Sequence, residues 1–139
     1  MAKVLNLEVV TPEKVLLKVE TTSLIVPATE GYLGVLHNHA PLITGLEPGI
    51  IKYRQDEDFQ VLSISKGFME VADNIATILV DTAEKPEDID VERAKAAKER
   101  AEKRLQERHP GVDVDRAELS LHKALARIEA VGNRNIHKP

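Results

Sequence analysis

The residues of this sequence best suited to bind a phosphate group lie at the start of an alanine-rich segment. Asp90 and Arg93 are three residues apart, and Arg100 follows seven residues later, so a helix that begins here places all three on one face. A second set of cations follows on one face of the next helical segment: Arg116, Lys123 and Arg127. A folded hairpin would gather both sets beside a helix N-terminus, which itself favours anions. This spacing predicts a site for a phosphate-containing ligand.

Each of these features also has a simpler structural explanation. Asp90 is a good helix N-cap whether or not a ligand is present. Lysine and arginine residues spaced along a helix usually form a solvated face. The spacing alone therefore leaves both a binding site and an ordinary charged helix open.

Composition sets limits on the function. The 139-residue chain has a formal net charge of −4, which argues against nucleic-acid binding. The basic surplus is confined to residues 88–139, which carry 12 basic and 10 acidic side chains. The absence of cysteine excludes disulfides, thiolate zinc sites and thiol nucleophiles. No apolar run approaches the ~20 residues that a membrane helix needs, and the first residues lack a signal peptide. We expect a soluble, intracellular protein without direct membrane insertion.

Residues 1–87 have the pattern of a β-sandwich domain. Leu5, Leu7 and Val9 alternate with polar residues, and a long β-branched strand is expected from Val15 to Val26. Asp73-Asn74 has the composition of a hairpin turn. Strands this short, with turn signals this frequent, favour an antiparallel β-sandwich or a barrel over βαβ units, and we expect the sandwich.

Residues 88–139 have the pattern of an antiparallel helical hairpin. Asp90 and Asp113 are the predicted N-caps, and the segment His109-Pro110-Gly111 separates the helices. The second helix is expected to end at Gly132-Asn133. The predicted contact between the helices is rich in alanine, so little area is buried per residue. We therefore expect a hairpin that opens, or detaches from the sandwich, at modest cost.

Two alternatives belong to other functional classes. His37 and His39 follow Gly31 at the spacing of a cupin metal motif, and two histidines two apart on a strand could bind a metal. The glutamate and the second histidine motif of a cupin are missing, which disfavours such a metalloenzyme. A helical-hairpin interaction module without any ligand is the other alternative. No P-loop or nucleophile elbow is present, so a bound nucleotide would be sensed rather than hydrolysed.

The whole chain resembles the epsilon subunit of bacterial F-type ATP synthases. Three segments carry the resemblance: Gly34 to Leu42 (GVLHNHAPL), Ser65 to Val71 (SKGFMEV) and Ile89 to Ala94 (IDVERA). The last is similar to the family's nucleotide motif, Ile/Leu-Asp-x-x-Arg-Ala. The resemblance implies an ATP site at the following positions: Glu84, Ile89, Asp90, Arg93, Ala94, Arg100, Lys123 and Arg127. Lys123 departs from the arginine of bacillus-type members, and lysine lacks the bidentate fork of arginine.

The resemblance also implies the role of the chain. It would be a non-catalytic central-stalk subunit that couples the catalytic head to the rotor ring of a proton-translocating ATP synthase. The sandwich would dock on the gamma subunit and on the c subunits of the ring, with Tyr32 and His39 as contacts. ATP would be a regulatory ligand, with no metal required, that favours the folded hairpin. An extended hairpin would inhibit ATP hydrolysis by bringing Arg116 and Arg134 to the beta subunit. The complex would lie at the cytoplasmic face of the bacterial plasma membrane.

Overall fold

A computed structural model describes residues 3–107 and 111–136, in which ten strands precede two helices. The strands are Leu5–Val10 (β1), Val15–Thr21 (β2), Leu24–Ala28 (β3), Gly31–Val35 (β4), Leu42–Leu46 (β5), Gly49–Gln55 (β6), Asp58–Ile64 (β7), Gly67–Ala72 (β8), Ile75–Val80 (β9) and Ala83–Glu84 (β10). A 3-10 turn covers Pro86–Asp88, and the helices are Val91–Glu107 (α1) and Val114–Ile136 (α2). The predicted fold class, a β-sandwich followed by two helices, is confirmed.

Alternating side chains build the sandwich. Leu5, Leu7 and Val9 of β1 are fully buried, whereas Asn6 between them is exposed. The hydrogen-bonded order is β10-β7-β6-β3-β5-β8-β9-β1-β2, with β4 paired to β3. Because β2 also contacts β6, the sheet folds over a single core made mainly of leucine, isoleucine and valine. The pairing is antiparallel except between β1 and β9, which run parallel.

Two local predictions about the strands have different outcomes. The continuous strand expected from Val15 to Val26 is wrong, because the chain bends between β2 and β3. The buried Thr21 hydroxyl holds this bend, with its Oγ lying 2.6 Å from the carbonyl oxygen of Arg54 and 2.8 Å from that of Ser23. The hairpin turn at Asp73-Asn74 is confirmed, and both residues have positive φ.

Both helices begin at the predicted caps. The Arg93 N–H donates to Asp90 Oδ1 over 3.1 Å, and the Arg116 N–H donates to Asp113 Oδ1 over 3.0 Å. The predicted end of α2 at Gly132 is wrong, since the helix continues to Ile136. A glycine inside a helix costs only about 1 kcal/mol relative to alanine, which does not stop a helix of this length.

All the buried residues of the two helices in the described ranges are alanines. They are Ala94 and Ala101 in α1, and Ala117, Ala124, Ala126 and Ala130 in α2. α2 lies against β6 and β7, and α1 packs on α2. A second apolar cluster joins α2 to the sandwich and consists of Ile50, Val61, Ile89, Ala130 and the half-buried Val131. None of the helices in the described ranges is long and apolar enough to cross a bilayer.

Candidate functional site

A cavity of about 400 Å³ lies where the sandwich edge, α1 and α2 meet. Its lining residues are Glu84, Asp88, Asp90, Arg93, Ala94, Ala97, Arg100 and Arg127. The cavity therefore contains three guanidinium groups and three carboxylates. It brings together all the predicted nucleotide residues except Ile89 and Lys123.

Each side of this cavity comes from a different element. β10 supplies Glu84, α2 supplies Arg127, and the start of α1 supplies Arg93 and Arg100. The Asp90 cap orders the first turn of α1, since its carboxylate accepts the Arg93 N–H and its carbonyl accepts the Ala94 N–H. The complete cavity consequently exists only when both helices are folded against each other and against the sandwich.

The three arginines of the cavity differ in whether they already form an ion pair with a carboxylate. Arg127 Nε lies 2.6 Å from Glu84 Oε1, and the two side chains are 33% and 31% exposed. Arg93 and Arg100 are exposed and form no ion pair with any of the residues described. An entering anion would thus meet two uncommitted guanidinium groups and a third that is paired with Glu84. Bidentate contacts of arginine suit phosphate oxygens well.

Two predicted contacts lie outside this cavity. The Ile89 side chain is 9% exposed and packs in the apolar cluster with Ile50 and Ala130. Lys123 lines a separate cleft of about 680 Å³ with Leu119 of α2 and the sandwich residues Phe68 and Leu79. Lys123 precedes Arg127 by about one helical turn, so the two side chains share a face of α2 but line neighbouring cavities. Its predicted part in the cluster of cations is therefore not supported by this arrangement.

Two residues that line the cavity were not predicted from the sequence. Asp88 lies in the 3-10 turn just before the α1 cap, and Ala97 lies one turn after Arg93. Helical spacing from Arg93 could have found Ala97. Asp88 carries no comparable signal, because its position depends on how the 3-10 turn meets the helix.

The three predicted partner contacts whose side chains the structure describes lie in separate places. Tyr32 lies near the start of β4, where burial and the Glu129 carboxylate of α2 raise its pKa. His39 lies beyond the other end of β4, and its Nδ1 is 2.7 Å from the Ala40 carbonyl oxygen. Arg116 lines a cavity with Arg104 and Gly111 at the far end of the hairpin. The predicted contact Arg134 has a side chain that lies outside the described residues.

The geometry assumed for a histidine metal site is wrong. β4 ends at Val35, so His37 and His39 lie in a loop and do not share the face of a strand. In the described ranges, no three histidine or carboxylate side chains are grouped as metal ligands. The loop is instead fixed by Asn74, whose Oδ1 accepts the Asn38 N–H over 2.9 Å.

Comparisons with known protein families cover both parts of the chain. Residues 4–86 match the family model described as ATP synthase, Delta/Epsilon chain, beta-sandwich domain. Residues 87–132 match the model described as ATP synthase, Delta/Epsilon chain, long alpha-helix domain. Together these two matches account for nearly the whole described structure.

Curated relatives agree with these matches, and a solved structure shares the fold. The ATP synthase epsilon chain of Moorella thermoacetica is 52% identical over 129 residues, covering 92% of this chain and 96% of that protein. That of Desulfitobacterium hafniense strain Y51 is 50% identical over 133 residues, covering 96% and 100%. A chain in the cryo-EM structure of the Euglena gracilis mitochondrial ATP synthase, OSCP/F1/c-ring, has a TM-score of 0.79 at 24% identity. That alignment covers 99% of this chain and 83% of the Euglena chain, and it concerns the fold.

Proposed function

This chain belongs to the ATP synthase delta/epsilon chain family and is a non-catalytic subunit of an ATP synthase. We propose that it is an ATP-sensing regulator of that enzyme. The proposal has two parts. The sandwich couples the catalytic head to the rotor ring, and the helical hairpin reports the ATP concentration.

The observation that carries the proposal is the cavity in which Arg93, Arg100 and Arg127 converge. A nucleoside triphosphate has several negative charges, which need several cations brought into one volume. Arg93 and Arg100 supply uncommitted donors, and Arg127 supplies a third at the cost of its pairing with Glu84. Asp90 supports the site through the backbone by holding the first turn of α1 in place.

ATP in this cavity would favour the folded hairpin. The ligand would touch β10, α1 and α2 at once, so it would bind the folded hairpin and lose most of its contacts in an extended one. A ligand shifts a conformational equilibrium by its difference in affinity between the two states. Because the described buried residues of both helices are all alanines, a modest difference in affinity suffices.

The extended hairpin would be the inhibitory form. Without ATP, α2 would leave the sandwich and carry Arg116, Lys123, Arg127 and Arg134 to acidic residues of the beta subunit. Deletion of residues 88–139 should therefore raise ATP hydrolysis by the reconstituted catalytic complex, most clearly at low ATP concentration. Equal hydrolysis with the full-length and the truncated protein at all ATP concentrations would refute the inhibitory role.

The sandwich would supply the permanent contacts of the subunit. We expect it to dock on the gamma subunit and on the c subunits of a proton-driven rotor ring, at the cytoplasmic face of the bacterial membrane. Tyr32 and His39 lie at opposite ends of β4, a strand about 16 Å long. We therefore expect the two residues to contact different parts of the stalk and ring.

Calorimetric titration with ATP tests the binding site directly. Loss of one charged hydrogen bond costs ~1.5–3 kcal/mol, so Arg93→Ala should weaken binding by about 10- to 150-fold. Lys95→Ala is the matched control, because it removes one positive charge from α1 at a residue that pairs with Glu92 outside the cavity. If Arg93→Ala and Lys95→Ala bound ATP with equal affinity, Arg93 would not be part of the ATP site. No measurable ATP binding by the wild-type protein would favour an interaction module without a ligand.

A further inference from the structure

Ile89 lies just before α1, at a position where the sandwich and α2 meet in apolar contact. Its side chain is nearly buried and packs with Ile50 of β6, Val61 of β7 and Ala130 of α2. The next residue, Asp90, caps α1 and lines the cavity. Ile89 thus takes part in the docking of α2 on the sandwich, and its neighbour Asp90 takes part in the candidate ATP site.

The connection of α1 to the sandwich depends on this segment. α1 packs on α2 and makes no comparable contact with a strand in the described part of the chain. Its direct link to the strands is the backbone from Lys85 to Asp90, in which the Ile89 N–H donates to the Pro86 carbonyl over 3.2 Å. Ile89 itself is extended, with φ −91° and ψ 126°. Neighbouring side chains of an extended segment point to opposite sides, so Ile89 enters the cluster while Asp90 reaches the cavity.

We propose that Ile89 is a positioning residue that sets the distance between the α1 arginines and Arg127 by anchoring the start of α1 under Ala130. This inference rests on the proposed function, since it concerns the same ATP site. Ile89 needs no contact with the ligand in this role. Truncating it would free the start of α1 and separate α2 from β6 and β7, so the complete cavity would be present in fewer molecules. The apparent affinity falls in proportion to the populated fraction of the binding-competent state.

Three variants of the full-length protein test the proposal. Ile89→Ala should weaken ATP binding by about tenfold or more, whereas the conservative Ile89→Val should stay within about threefold of wild type because most of the contact is kept. Ile78→Ala is the matched control, because Ile78 is fully buried in the sandwich core and does not line the cavity. This variant should lower the melting temperature and keep the wild-type ATP affinity at temperatures where the sandwich is folded.

A second measurement separates this proposal from the proposed function. Hydrogen exchange without ATP should show faster exchange along α2 in Ile89→Ala than in wild type, with unchanged protection of β1 and β9. If the wild-type protein bound no ATP, the proposed function would fail, and this exchange comparison would still decide the role of Ile89. Wild-type exchange along α2 together with wild-type ATP affinity in Ile89→Ala would overturn the proposal. Equal loss of affinity in Ile78→Ala and Ile89→Ala would also overturn it, since general destabilisation would then explain both.

Discussion

The sandwich buries much larger apolar side chains in its core than the helical hairpin does. The sandwich core contains large, fully buried side chains such as Leu46, Met69 and Ile78. The described buried residues of the two helices are alanines, and a small apolar cluster around Ile89 joins α2 to the strands. Burial stabilises by about 25 cal/mol per Å² of apolar surface, so the sandwich is the stable platform and the hairpin is the part that can move. The ligand cavity lies on the boundary between them.

The largest effect that we predict concerns the core of the sandwich. Ile78→Ala should reduce the free energy of unfolding of the sandwich by ~2–5 kcal/mol, the range for truncating a buried isoleucine. Tyr53 lies in this core, so urea unfolding followed by tyrosine fluorescence reports on the sandwich. A loss below about 1 kcal/mol would show that the core is less tightly packed than its burial indicates.

A cap mutation should affect only the hairpin. Asp113→Ala removes the acceptor of the Arg116 N–H and should destabilise α2 by ~1 kcal/mol. Asp115→Ala is the control, because Asp115 lies in the same first turn and has no capping bond. Hydrogen exchange along α2 measures the difference. Equal exchange in both variants would mean that the cap does not stabilise this helix.

The ion pair between the two regions should have a smaller effect. Glu84→Gln should lower the free energy of hairpin opening by ~0.2–1 kcal/mol, since both partners are about one-third exposed to water. Salt screens such pairs, so hairpin opening in the wild-type protein should depend on ionic strength more than in Glu84→Gln. The same salt dependence in both proteins would show that the pair does not contribute to docking.

The smallest predicted effect is that of Lys123→Arg. Lys123 lines the cleft beside Phe68, apart from the cavity with Arg93, so a bidentate guanidinium at this position should leave ATP affinity unchanged. Calorimetric titration of this variant and of the wild-type protein with ATP compares the two affinities. A tenfold tighter affinity would mean that the side chain reaches the nucleotide in the bound state.

The sequence predicted the features that depend on local spacing. The caps at Asp90 and Asp113, the alternation in β1 and the shared face of Arg93 and Arg100 all follow from short-range periodicity. The remaining features depend on contacts between distant segments. The Glu84–Arg127 pair and the parallel pairing of β1 with β9 join residues far apart in the chain. No local pattern could show that Ile89 points into the apolar cluster while Asp90 lines the cavity.

Hydrogen exchange of the full-length protein with and without saturating ATP compares the stability of the hairpin with that of the sandwich. We predict that α1 and α2 exchange faster than β1 and β9 without ligand, because the hairpin opens without unfolding the sandwich. Saturating ATP should slow exchange along both helices and leave the sandwich core unchanged. Hairpin protection equal to that of the core, with no change on adding ATP, would contradict the claim that the hairpin is a ligand-controlled element on a stable sandwich.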